Sequence, residues 1–353
     1  MHSPPIAVLD LGTNTFNLLV ATGGPGNGMT VLHSGELPVF LGRGIEDGLL
    51  TEEAMARGLD ALHDHLTVAR GLGVGRIHAI GTSALRHARN SAVFLRRVQA
   101  AFALTVEVVD GGTEAELILD GVRLAVPLTD RPALVMDIGG GGPGVIPAPP
   151  PAPLWERSLR PGGPPPPPPG PGLGWTAGGG RWGSTWPPRH ALMWKRSFEL
   201  GVPRLRTRVP FSEPPTVEEE LRLAAHLDDR LEPLWAVIDR HGPHLLIGSA
   251  GSFDSLAAMV AHAQGEELSA DALTLAFDDL AFAQLKDGLM RMARVERCAV
   301  PGLPAHRVDH IAYGLVAIDR VLTAGGIRDL AWSRYALKEG AAWRALKDLP
   351  STR

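Results

Sequence analysis

Two stretches of the chain end an apolar run on an acid and follow it with small residues: "IAVLDLGTNTF" (6–16) and "ALVMDIGGGG" (133–142). An acid so placed, Asp10 or Asp137, can hold a divalent cation directly or through water, and the N–H groups of the small residues can close on phosphate oxygens. Gly12, Thr13, Asn14 and Thr15 make the first loop and add side-chain donors; Gly139, Gly140 and Gly141 make the second. A third loop of this kind, "GSAGS" (248–252), offers Gly248, Ser249 and Gly251. Any one of these is also a common strand-to-turn device, and for the third the tight turn is the plainer reading. Two copies, one in each half of the chain, are far more specific.

Three further clusters carry chemistry. "GTSALRHARN" (81–90) sets Arg86 just past a strand end, as a two-pronged phosphate clamp or as a solvated arginine at a helix start. "DGGTEAELILDGV" (110–122) sets Glu114 and Glu116 behind two glycines. A carboxylate there can take a proton from water, or it can merely complement a helix N-terminus, the more economical reading of the segment alone. "HRVDH" (306–310) spaces His306, Asp309 and His310 as a helical metal triad would, although a polar helix start explains them more simply.

These loops must hang from rigid ends. "IAVLD" (6–10), "LLVAT" (18–22), "MTVLHSGELPVFL" (29–41), "RIHAIG" (76–81) and "ALVMD" (133–137) read as strands. Residues 51–73, 90–104, 217–242, 253–265, 277–293, 309–326 and 335–346 read as helices, the first capped by Thr51 with Glu52 and Glu53 in its first turn. Alternating strands and helices predict α/β architecture with a largely parallel sheet. The repeated strand–Asp–Gly device predicts two domains, about 1–124 and 125–353, with Asp10 and Asp137 facing one another across a cleft.

The segment 142–192 breaks the pattern. Within 142–188 stand 16 of the chain's 31 prolines, with 11 glycines and Trp155, Trp175, Trp182 and Trp186. Such a composition argues against helix and central strand, and predicts disorder over about 146–190. Elsewhere the chain has the balance of a globular protein, 44% hydrophobic and 20% charged over 353 residues, with a formal net charge of -4. That charge points to no nucleic-acid partner. No apolar run of membrane-spanning length is present, and the single Cys298 excludes an internal disulfide, so a cytoplasmic protein is expected.

In order, "VLDLGTNTF", "GTSALRHARN", "GGTEAELILDGV", "VMDIGGG", "KRSFELGVPRL" and "GSAGSFDSLAAM" resemble the exopolyphosphatase / guanosine pentaphosphate phosphohydrolase (Ppx/GppA) family. The resemblance implies two ribonuclease H-like domains of the actin–hexokinase–chaperone superfamily. It also implies Mg²⁺-dependent release of terminal phosphate from polyphosphate or guanosine pentaphosphate; the sequence leaves open whether the chain forms a homodimer. Glu114 matches the family's general base, Asp10 and Asp137 its metal-side acids, Arg86 its phosphate arginine, and Thr13, Asn14 and Thr15 its first phosphate loop. The second loop departs: Gly142, Pro143 and Gly144 stand where the family has Ser, a variable residue and Glu. This abrupt loss, with recovery at "LMWKRSFELG" (192–201), reads as an out-of-frame stretch. It also keeps two other functions in view, a phosphate-chain sensor without hydrolysis and an ATP-dependent kinase using "GSAGS" for adenosine.

Overall fold

The structure is a computed structural model that describes residues 4–23, 28–42, 48–128, 132–138, 194–198 and 200–348, and the backbone of 143–147. Each half of the chain builds one sheet. In the first, β1 (Ile6–Leu11), β2 (Thr15–Gly23) and β3 (Met29–Pro38) run antiparallel in succession. On the other side of β1, β4 (Arg76–Gly81) and β5 (Val106–Val108) are added parallel, giving the order β3-β2-β1-β4-β5. Its helices are α1 (Glu52–Gly71), α2 (Ser83–His87), α3 (Ser91–Phe102) and α4 (Gly111–Ala125).

The second sheet repeats that order. From β6 (Ala133–Ile138), β7 (Pro143–Pro147) and β8 (Arg196–Ser197) run antiparallel on one side. On the other side lie β9 (Leu245–Ser249) and β11 (Asp329–Ser333), both parallel, with β10 (Thr274–Phe277) antiparallel at the edge. Around it pack α5 (Val202–Arg208), α6 (Val217–Arg230), α7 (Glu232–His241), α8 (Gly251–Ala263), α9 (Asp279–Arg291), α10 (Arg294–Arg297) and α11 (Ile311–Gly325), and α12 (Leu337–Lys347) follows β11. The same arrangement twice over, with one further edge strand in the second sheet, fits the two ribonuclease H-like units that the family resemblance implies.

Strand periodicity sorts the core into three parts. Ala7, Leu9 and Leu11 of β1 face a cluster with α1 and α3, while Ile6 and Val8 face the opposite way. Leu134, Met136 and Ile138 of β6 likewise face α6, α8 and α11, while Ala133 and Val135 turn toward the middle. In that middle cluster the two sheets meet on α4 and α12. The two helices cross at glycines: a Cβ on Gly121 would fall 1.9 Å from the Ala336 carbonyl oxygen, and one on Gly340 would fall 1.9 Å from that of Leu117. α12, from the end of the sequence, thus packs among elements of the first half.

Several elements differ from the sequence expectation. The single helix expected over 217–242 is two, α6 and α7, because Pro233 in the first turn of α7 cannot continue the ladder of α6. The strand β7 runs through the start of the Pro-rich stretch, with Pro143 and Pro147 at its two ends and Gly144, Val145 and Ile146 between them. A proline costs least at a strand end, where one missing N–H does not interrupt the ladder. β11 was not anticipated: five residues holding both Asp329 and Ser333 show little alternation. The rest of the Pro-rich stretch, 148–193, with its four tryptophans and its expected disorder, lies outside the described residues. Among the described residues no helix is long and apolar enough to cross a membrane.

Candidate active site

Asp10 stands near the end of β1, and its Oδ2 accepts a hydrogen bond from Asn17 Nδ2 at 3.1 Å, directly across the β1–β2 pair. Asp137 holds the corresponding place in β6, where its Oδ2 accepts from Ser249 Oγ on β9 at 3.4 Å. Both carboxylates line one cleft together with Glu114. Each keeps some surface open to that cleft, yet the cleft walls strip enough water to favour the neutral acids. Burial foremost raises Asp10 to about 7; Lys338 and Asn17 oppose it, and Glu114 adds to it. Burial, then the negative charges of Glu114, Asp10 and Asp254, hold Asp137 well above the ordinary carboxylate range, with Ser249 a partial offset. The expected meeting of Asp10 and Asp137 is therefore present.

Glu114 is delivered by the first turn of α4, whose start is fixed by Asp110: its side chain accepts from the Thr113 N–H at 2.8 Å. Burial raises the Glu114 carboxyl, against the charge and hydrogen bond of Arg86. Arg86 Nη1 donates to Glu114 Oε2 at 2.9 Å and to the Val109 carbonyl at 2.8 Å, so this arginine grips the protein's own carboxylate. Glu116 points elsewhere and pairs with Lys195 and Arg344.

The first loop is braced by the chain after β3. Val39 and Phe40 N–H donate to the Asn14 carbonyl at 2.8 and 2.7 Å, and Gly42 N–H to that of Thr13 at 3.1 Å. Gly12, Thr13, Asn14 and Thr15 line the cleft, and Thr13 is buried with its Oγ1 lacking any hydrogen-bond partner. A buried hydroxyl without a partner is costly unless a ligand completes it. Of the third loop, Gly251 lines the cleft at the start of α8, next to Ala250 in a left-handed conformation at φ 58°. Ser249 is fully buried beneath Asp137, and Gly248 is a packing glycine, since a Cβ there would fall 1.9 Å from the Phe253 ring. Gly139, Gly140, Gly141 and Gly142 lie outside the described residues.

The cleft holds cations that sequence reasoning passed over. Lys338, the second residue of α12, pairs with Glu339 at 3.1 Å. Burial would lower it, but Glu339, Asp254 and Asp10 outweigh burial and hold it as a cation. Arg307 Nη2 donates to both carboxylate oxygens of Glu36, at 3.2 and 3.1 Å. His306 Nε2 stands 3.2 Å from Glu36 Oε1 and 3.1 Å from Arg307 Nε, so its tautomer decides which of the two it bonds. Burial would raise Glu36; the His306 bond and the Arg307 charge overcome it and draw Glu36 down to about 2. The signal for Lys338 lies in "YALKEGA", and that for Arg307 in the "HRVDH" stretch.

That triad does not form. Asp309 is taken by Arg294 Nε at 2.6 Å and Arg206 Nη1 at 3.4 Å, while His306 faces Glu36. Among the described residues no three His, Cys, Asp or Glu side chains are grouped to hold a metal. The donor set that fits a hard cation is the pair Asp10 and Asp137: Mg²⁺ commonly takes one or two carboxylates and completes its shell with water and phosphate oxygens.

The model of the Ppx/GppA phosphatase family matches residues 19–146 and 178–349. The chain belongs to that family. Exopolyphosphatase 2 of Mycobacterium tuberculosis is 25% identical over 354 residues, covering 96% of this chain and 97% of that protein. A guanosine-5'-triphosphate,3'-diphosphate pyrophosphatase of Photobacterium profundum is 35% identical over 145 residues, 41% of this chain and 29% of that protein. The crystal structure of an exopolyphosphatase from Cytophaga hutchinsonii superposes with a TM-score of 0.82 at 31% identity, covering 98% of this chain and 99% of that one. An Aquifex aeolicus Ppx/GppA protein shares the fold at a TM-score of 0.73 and 19% identity. In this Ppx/GppA chain the family match breaks at 147–177, inside the Pro-rich stretch.

Proposed function

We propose that the chain is a Mg²⁺-dependent phosphohydrolase that removes the terminal phosphate of inorganic polyphosphate, of guanosine pentaphosphate, or of both. One observation carries the reading: Asp10, Asp137 and Glu114 converge on a cleft that also holds Lys338, Arg307 and the unpartnered Thr13 hydroxyl. Phosphoryl transfer needs positioning and charge neutralisation more than covalent chemistry, and these residues supply both. Mg²⁺ held by Asp10 and Asp137 would offset charge on the phosphate oxygens. Arg86 fixes Oε2 of Glu114, leaving Oε1 to take a proton from water as its oxygen bonds to the terminal phosphorus and the bridging P–O bond breaks. The Glu114 carboxyl, raised by burial, is the stronger base for it. Lys338 and the first loop hold the phosphate in line.

The supporting relatives are named for polyphosphate and for guanosine pentaphosphate chemistry alike, so both substrates belong to the test. Gly142 and Gly144, at the family's Ser and Glu positions, favour a second reading in which the cleft binds phosphate chains without cleaving them. Orthophosphate release by purified protein from each substrate, with and without Mg²⁺, decides between them. Release from either substrate only with Mg²⁺ supports the hydrolase; binding without release supports the sensor; release unaffected by a chelator refutes the metal assignment.

A further inference from the structure

Asp10, Asn17 and Glu36 are register partners on three adjacent strands, β1, β2 and β3, and so lie in one row on the same face. The row begins at the carboxylate assigned to the reacting end. It ends, two strand spacings or roughly 10 Å away, at the carboxylate that grips Arg307. Glu36 comes from the first sheet, whereas His306 and Arg307 come from the 3-10 turn Ala305–Arg307 after α10, in the second half. All three line the cleft.

The two sides of this contact are unequal. The Arg307 side chain is 13% exposed, its Nη1 is buried without a hydrogen-bond partner, and Asp254 Oδ2 is 3.9 Å away. The Glu36 side chain is 36% exposed and is the less buried partner of the pair. A phosphate chain entering the cleft brings more charge and more acceptor oxygens than one carboxylate, and the Arg307 Nη1 donor is still unspent. The chain and Glu36 cannot both hold Arg307 Nη2.

We propose that Glu36 is a specificity-determining residue that competes with the phosphate chain for Arg307 and His306, and so weakens binding of chains long enough to reach them. This rests on the functional reading above. The ion pair stabilises the free protein and must break when a long chain binds, so its free energy is subtracted from affinity. A two-phosphate ligand seated at Asp10 and Asp137 is too short to reach the pair and is indifferent to it. Substituting Glu36 therefore has opposite signs on two observables: the free protein becomes no more stable, while affinity for long chains rises. A residue that merely braced Arg307 would lower both.

The experiment compares wild type, Glu36→Gln, and Glu36→Gln with Arg307→Gln. Binding of long-chain polyphosphate and of pyrophosphate is titrated at low salt with Mg²⁺ present, every protein carrying Glu114→Gln so that hydrolysis does not consume the ligand, alongside melting of each protein. Glu36→Gln is expected to bind the long chain roughly 2- to 5-fold tighter, the range of one ion pair in a partly exposed setting. Its pyrophosphate affinity stays unchanged, and the double substitution cancels the gain. Equal or weaker long-chain binding by a folded Glu36→Gln, or the same gain on pyrophosphate, overturns the proposal. Wild type that binds neither ligand sinks the functional reading as well, whereas wild type that binds while Glu36→Gln shows no gain sinks the competition alone.

Discussion

At the residue scale the cleft is a set of carboxylates held close against their mutual repulsion, and this predicts both turnover and pH behaviour. Glu114→Gln keeps shape and hydrogen bonding but removes the proton acceptor. Positioned general bases contribute about 10²–10⁴-fold, so kcat should fall by that much while binding of the phosphate chain persists. Glu116→Gln, which touches Lys195 and Arg344 outside the cleft, should leave kcat near wild type. If starting turnover is too low to measure, Gly142→Ser with Gly144→Glu is the background in which to compare them. Full turnover by Glu114→Gln there would reduce Glu114 to a helix-start charge.

Asp10 gives the pH prediction. Its folded-state value near 7 lies above its ordinary 3.8, so between roughly pH 4 and 7 the folded protein keeps a proton that the unfolded chain has released. The stabilisation is fully present below about pH 4 and is lost as pH rises through 7. Because Asp137 is coupled to it, the two titrate as a pair. In metal-free protein Asp10→Asn should flatten this slope and melt higher than wild type at pH 8. Added Mg²⁺ should narrow that gap by favouring the charged wild-type pair. A wild-type melting temperature that is flat from pH 5 to 8 in chelator would count against this account.

At the element scale, α4 and α12 matter most, because one carries Glu114 and the other Lys338. Their crossing has no room for a methyl group: Gly340→Ala would drive a Cβ into the Leu117 carbonyl. Overpacking of this kind costs typically about 1–3 kcal/mol, enough to lower the melting temperature by several degrees. Because α4 carries Glu114 and α12 carries Lys338, forcing the helices apart should also lower kcat well below the melting range. Gly71→Ala at the end of α1, where nothing lies within 4 Å of the added Cβ, is the matched control and should be neutral or stabilising. Equal melting temperatures for the two variants would mean that the crossing yields more easily than its geometry implies.

At the scale of the whole molecule, the cleft is complete only when both sheets contribute: Asp10 and the first loop come from one, Asp137, Arg307 and the start of α8 from the other. A phosphate chain that touches both should stabilise the chain as a unit. At about a hundred times its Kd a one-site ligand adds about 2.7 kcal/mol to stability. Polyphosphate at that level should therefore raise the melting temperature clearly, and Thr13→Val, which removes the unpartnered hydroxyl, should shrink the rise. No shift with polyphosphate or guanosine pentaphosphate would show that the cleft takes neither.

The sequence by itself determined the parts whose cause is local. Strand periodicity, the Asp–Gly turn at 10–12, the Thr51 cap and Glu114 behind its two glycines are all written in adjacent residues. They had to be, because burial alternation and backbone capping act over a few positions. Pro233 is equally local, and the break it makes between α6 and α7 is legible in the sequence. What only the tertiary structure decided was partnership across the chain. Arg86 reads as a phosphate clamp in isolation, and only the fold brings Glu114, 28 residues on, against its Nη1. His306 and Asp309 share a helical spacing, yet they diverge to Glu36 and Arg294 because each meets a different neighbour. Lys338 enters the cleft because α12 returns to pack on α4, and Glu36 meets Arg307 because two sheets built from separate halves close on each other. No local pattern encodes such meetings, since they depend on the order in which strands assemble and on which faces of two helices can touch.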